Sequence, residues 1–183
     1  KIEQKRYAYT AAVAVADRFY KLFLSTPPES RALDIWAISA VTDLFIAEGE
    51  NEKALSVLEG SLDRARSAAQ DQTPENLRYL AAALKKTGRA ASASGDLKGA
   101  MAAWREGLSI ARNLEIRMKT SESRNNLAIM LDDTAEAFFA SGDLAQASKH
   151  WHESLEIRRE TAALSQTVEN LRAVSVSLIN NGD

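Results

Sequence analysis

The sequence predicts an all-α chain of stacked antiparallel helix pairs, an α-solenoid, and three observations predict it. A segment recurs: SGDLKGAMAAWREGLSIAR at residues 94 to 112 and SGDLAQASKHWHESLEIRR at residues 141 to 159 are offset by 47 positions. Helix-start signals recur with it, since Thr26, Thr73, Thr120 and Thr167 are also 47 apart. Between these marks the apolar residues keep the three-and-four spacing of amphipathic helices.

Taken in order, the first helix is expected over residues 4–24. Its start, YAYTAAVAVA after Lys5 and Arg6 and ending in Ala14, Val15 and Ala16, superficially resembles a secretory signal. It reads instead as part of the fold, because the run lacks an initiator Met, is poor in Leu and continues its helical pattern through Asp17 and Arg18 to Phe23. Those charges also leave it too short for a membrane span.

Helices then follow at 27–48, 51–70, 74–94, 97–118, 121–141, 144–165 and 168–181, with no strand. A Thr hydroxyl accepts from the free N–H groups of a helix start, and Glu75, Glu122 and Glu169 suit the positive end of the dipole. Pro27 and Pro74 stand where a missing N–H does no harm. Helices of the first kind carry Leu80, Leu84, Gly88 and Ala91, then Leu127, Leu131, Ala135 and Phe138, then Val174, Leu178 and Gly182. Gly49, Gly95 and Gly142 mark the turns into helices of the second kind, with Ala54, Leu58 and Leu62, then Ala100, Trp104 and Leu108, then Ala147, Trp151 and Leu155. Gly88 and Ala100, like Ala135 and Ala147, are twelve positions apart, and such small residues predict a close approach within each pair.

At these residues the chain resembles the tetratricopeptide repeat family: Gly88, Gly95, Ala100 and Trp104, and again Ala135, Gly142, Ala147 and Trp151, fall at its signature positions. The period departs from the usual one, and Arg66, Arg112 and Arg159 stand where a helix-ending proline is usual, so the chain looks like the long-repeat variety of large bacterial multidomain proteins. The resemblance implies a right-handed superhelix of about three and a half helix pairs. Its expected divisions within one domain, 1–183, are an unpaired second-kind helix at 1–25, repeats at 26–72, 73–119 and 120–166, and a partial repeat at 167–183. The first repeat is the least regular, with Thr42 and Leu58 at the diagnostic places and an extra residue absorbed near Pro27 and Pro28.

Composition narrows the function classes. With 183 residues, 45% hydrophobic and 26% charged, the chain can bury a sizeable core and is not of disordered type. Lys and Arg number 23 against 25 Asp and Glu, scattered, so nothing gathers phosphates and nucleic acid is not an expected partner. The absence of cysteine excludes disulfides and thiolate metal sites and fits a reducing, cytoplasmic setting. His150 and His152 point about 200° apart on a helix, which opposes a metal site. Asp132, Asp133 and Glu136 lack a histidine or phosphate loop beside them. No catalytic residue, cofactor or metal is therefore expected, and the chain is read as a non-enzyme. Trp104 and Trp151 are expected in the core, where truncation of either would cost about 3 to 5 kcal/mol.

The expected binding face is the inner groove, lined by first-kind helices one step round from their core stripe. It comprises Trp36, Ser39 and Asp43, then Lys85, Arg89 and Ser92, then Asp132, Glu136 and Phe139. Two roles are open to the charged rows. Lys85 and Arg89 either pair laterally with Asp132 and Glu136, or anchor an acidic peptide whose apolar side chain meets Trp36 or Phe139. The resemblance implies a protein-protein interaction module, an arm of a larger protein binding a peptide or protein segment. A ligand- or peptide-sensing domain that regulates an attached effector is the alternative. Helix one is apolar on nearly every side from Tyr7 to Ala16, and Gly182 lacks its partner alanine. The chain is thus expected to be part of a longer solenoid and, in isolation, either to self-associate through its ends or to be less stable than a chain extended by a helix pair.

Overall fold

The computed structural model describes residues 2–25 and 35–181, with side chains described for residues 10–22, 25 and 38–179. Thr26, Pro27, Pro28 and Gly182 lie outside the described residues, as do the side chains of Tyr7 and Trp36. Among the described residues there are eight α-helices and no strand: α1 Ile2–Ser25, α2 Ile35–Ala47, α3 Asn51–Ala68, α4 Pro74–Ala93, α5 Leu97–Met118, α6 Ser121–Ala140, α7 Leu144–Leu164 and α8 Val168–Asn181. A short 3-10 turn, Ala69–Asp71, extends α3. Neighbours in sequence pack as pairs, and α4 also touches both α2 and α6.

The recurring residues act at the helix ends. Thr73 accepts from the Asn76 N–H with Pro74 in the first turn, and Thr167 accepts from the Asn170 N–H at 3.1 Å. Thr120 forms a reciprocal capping box with Ser123 rather than with an acid, a device worth about 1 kcal/mol. Asp96 and Asp143 cap α5 and α7, accepting from the Gly99 and Gln146 N–H groups at 2.9 and 3.1 Å. The preceding glycines take left-handed backbone, with φ of 86° at Gly95 and 84° at Gly142. This lets the Asp96 and Asp143 N–H groups reach back to Ala91 and Phe138 and close the helix before each turn.

The core runs from pair to pair. Phe45, Val57 and Leu58 fill its first part, Leu80 and Leu84 its middle, and Trp104, Leu127 and Leu131 the next. Trp104 is only 3% exposed. Its indole lies against Gly88, where an added Cβ would run into Nε1, Cδ1 and Cε2, and its N–H donates to the Lys85 carbonyl at 3.2 Å. The small residue at 88 therefore makes room for the indole. Trp151 departs from expectation: it is half-buried rather than core. Ala135, the residue 47 positions after Gly88, already carries a Cβ in the corresponding place, and the Trp151 ring lies toward Phe139 instead, 5.7 Å between centroids.

On α1, Val15 and Leu22 face outward while Ala16 is buried against α2 and α3. Val168, Leu171 and Ile179 of α8 are likewise exposed.

Candidate functional site

The expected groove residues sit on α2, α4 and α6, the helices that touch one another in a row. Their charges do pair laterally, in a different register from the one expected. Arg89 donates to Asp133 Oδ1 from Nη2 at 2.8 Å and from Nε at 3.2 Å, and Asp43 takes Lys86 at 2.6 Å on both oxygens. Arg78 joins Glu122 at 3.3 Å. Partners in this row are 43 or 44 positions apart. That is one helical turn less than the period, so each helix meets its neighbour displaced by about a turn. The bridges Asp43 with Lys86 and Arg89 with Asp133 are the same positions one repeat apart, with the signs exchanged. On the other side of the layer, Arg66 pairs with Glu106 and Arg112 with Glu153, also repeat-related.

Lys85 and Asp132 are thus not partners. Asp132 Oδ2 accepts from Arg158 Nη1 at 2.7 Å, and the same guanidinium reaches the hydroxyls of Ser154 and Ser177. Arg158 is 8% exposed, so this cluster ties α6, α7 and α8 together from within. The Lys85 ammonium has no ion pair or hydrogen bond among the described residues, and burial, with Arg89 beside it, pushes its pKa down against the weaker opposing pull of the Asp133 and Asp43 carboxylates. Burial pushes the Asp133 carboxyl up by more than Arg89 draws it down. Glu136 makes no bridge either, and partial burial of its carboxyl followed by Asp133 pushes it up. Phe139 is 58% exposed over Trp151. The Trp36 side chain lies outside the described residues.

Between α4 and α6, floored by α5, a cavity of about 60 Å³ is lined by Arg78, Lys85, Ala111, Leu114, Asn126 and Met130 among others. A smaller one lies between α6 and α8, where Asn125, Arg158, Thr161 and Ala173 stand 47 positions after Arg78, Ala111, Leu114 and Asn126. The two crevices are one place in successive repeats. Lys85, Ala111, Gly107 and Met130 correspond to Asp132, Arg158, Ser154 and Ser177. The second crevice is closed by its own ion pair. In the first, Ala111 has no side chain to reach Lys85, and Met130 lies over Gly107, whose missing Cβ makes room for the Met methyl.

Sequence reasoning named Asp133 but not its pairing with Arg89, and missed Arg158 and the crevice. The signal was present in the period: carried through the interior of the second-kind helices, it aligns Ala111 with Arg158, an alanine against an arginine on a core face. His150, the other candidate for chemistry, bonds the Gln146 carbonyl through Nδ1–H at 2.8 Å and lies against Phe138. Among the described residues no group of potential metal ligands gathers, and no helix is long and apolar enough to cross a membrane.

No protein-family model matches the chain, and no curated protein matches it. Among solved structures it is similar to BtubC (BKLC) from P. vanneervenii, with a TM-score of 0.56 and 18% identity over 99% of this chain and 72% of that one. At that identity the likeness speaks for the arrangement of helices.

Proposed function

We propose that the chain is a tetratricopeptide-like solenoid that works as an interaction module, holding a peptide or protein segment on the face formed by α2, α4 and α6. The observation that carries this reading is Phe139, a large aromatic side chain left 58% exposed with Trp151 under it, along the row of helices that also presents Lys85 and Arg89. An aromatic held rigid by a second ring gives contact area at little entropic cost, and charges flanking it fix the partner's orientation. The lateral ion pairs support the reading in a second way, because they align the helices without using Lys85 or Glu136.

The test is selection of peptides from a random library on the intact chain and on Phe139→Ala and Lys85→Glu variants that melt normally. Peptides enriched on the wild type should lose about tenfold or more in affinity on each variant. Equal binding to all three would remove this face from the reading.

A further inference from the structure

Polar side chains inside a helical crevice normally find partners within the protein. In the crevice between α6 and α8, Arg158 Nη1 is met by Asp132 Oδ2 and by the hydroxyls of Ser154 and Ser177, although Asp132 Oδ1 and Arg158 Nε find no partner there. The crevice one repeat earlier has no such internal ion pair. Arg78 is engaged by Glu122 and Ser123 by the Thr120 cap, but the Lys85 ammonium and the Asn126 amide, both lining the space, have no partner among the described residues. Around them stand Ala111, Leu114 and Met130, which offer no charge. Where the later repeat supplies its own counter-ion on residue 158, the earlier one has a methyl group and a cavity of about 60 Å³.

We infer that this crevice is a receptor for a carboxylate on a stem of two or three carbons, the oxygens meeting Lys85 and Asn126 and the stem lying on Ala111, Leu114 and Met130. The inference rests on the reading of this face as a binding face, and it names the chemistry held there. A cavity of this size takes a short acid and little more. Arg78 is engaged by Glu122 and Arg89 by Asp133, so among the described residues lining the crevice Lys85 is the cation without an ion pair. A carboxylate also fits better than a neutral amide, because an anion compensates a partly desolvated ammonium more strongly than a neutral acceptor does. The carboxylate has two possible sources, a glutamate side chain of a bound segment or a free short-chain acid.

The experiment follows the methyl signals of Ala111 and Met130 by NMR while propionate, propionamide, or capped Ala-Ala-Glu-Ala-Ala and its Gln counterpart is added to the intact chain. Propionate or the Glu peptide should shift these methyls saturably, and the matching amide should bind about tenfold more weakly or worse. Tighter binding of the peptide assigns the carboxylate to a glutamate side chain; tighter binding of propionate assigns it to a free acid. Lys85→Met should weaken both by about tenfold or more without lowering the melting temperature. Ala111→Val, with its fold checked by circular dichroism, should do the same by filling the space while leaving Lys85 in place. Equal shifts with acid and amide, retention of binding in Lys85→Met, or shifts confined to exposed lysines would overturn the inference. Equal binding of the selected peptides to wild type and Phe139→Ala, with the propionate response intact, would instead count against the wider binding face.

Discussion

Residues 73–119 and 120–166 fold as the same helix pair, yet they fill it differently. In the first pair Gly88 admits the whole indole of Trp104; in the second Ala135 leaves Trp151 half-buried beneath Phe139. In the first pair the crevice toward the next helix holds the Lys85 ammonium, which has no ion pair among the described residues, and in the second it holds the Asp132–Arg158 pair. Helix ends and turns are alike because both depend on backbone groups that must be capped whatever the side chains do. The interior is free to differ wherever volume and charge still balance. The lesson is that repetition holds the frame, while the exceptions to it mark where one pair has been given over to something other than stability.

The comparison can be broken first at the two tryptophans. Trp104→Ala removes a side chain buried against Gly88 and should cost about 3 to 5 kcal/mol. Trp151→Ala should cost about 2 to 3 kcal/mol, half of a tryptophan's roughly 150 to 250 Å² at about 25 cal/mol per Å². Chemical denaturation of both variants checks this, and equal losses would mean that the two rings share one environment. Next in size, Gly88→Ala should cost about 1 to 3 kcal/mol, because the new methyl meets a buried ring that cannot swing away. The reverse change, Ala135→Gly, should cost about 1 kcal/mol in helix propensity and shift Trp151 emission to the blue as the ring settles inward.

The smallest expected effect concerns Asp133 and pH. Burial raises this carboxyl above its ordinary range. The folded state therefore holds the proton more tightly than the unfolded chain, and the stability Asp133 contributes is present at low pH and lost as pH rises through its folded pKa. Asp133→Asn stands in for the protonated form at every pH. Its melting advantage over wild type should be largest near neutrality and close as pH falls through the carboxylate range. An advantage that grows on acidification would show the Arg89 pair outweighing burial.

Most of the frame was legible in the sequence because helix starts and turns use few residue types. The threonines and glycines placed α3 to α8 within about two residues of the observed ends. The candidate site was legible only in outline. Lys85, Arg89, Glu136 and Phe139 do lie along the expected row, but the partners were not readable, because reach across neighbouring helices depends on a displacement of one turn that periodicity does not carry. Asp132 was assigned outward, whereas its carboxylate turns back to Arg158, since a buried guanidinium draws the nearest acid to itself. The half-burial of Trp151 hung on one methyl group at Ala135, a difference too small to weigh before the rings were placed.

The most direct test of the contrast between the two repeats makes one substitution at both equivalent positions, Lys85→Met and Asp132→Met, and compares their melting. Lys85 is a half-buried ammonium with no ion pair or hydrogen bond among the described residues, and burial outweighs the pull of Asp133 and Asp43 on it, so replacing it with an apolar chain of similar length should leave stability unchanged or raise it. Asp132 answers a buried arginine, and removing it should cost about 3 to 5 kcal/mol by leaving that charge alone. Opposite responses would establish that one crevice is completed from within and the other left for a ligand. A comparable loss at both positions would contradict this and return Lys85 to the structural framework.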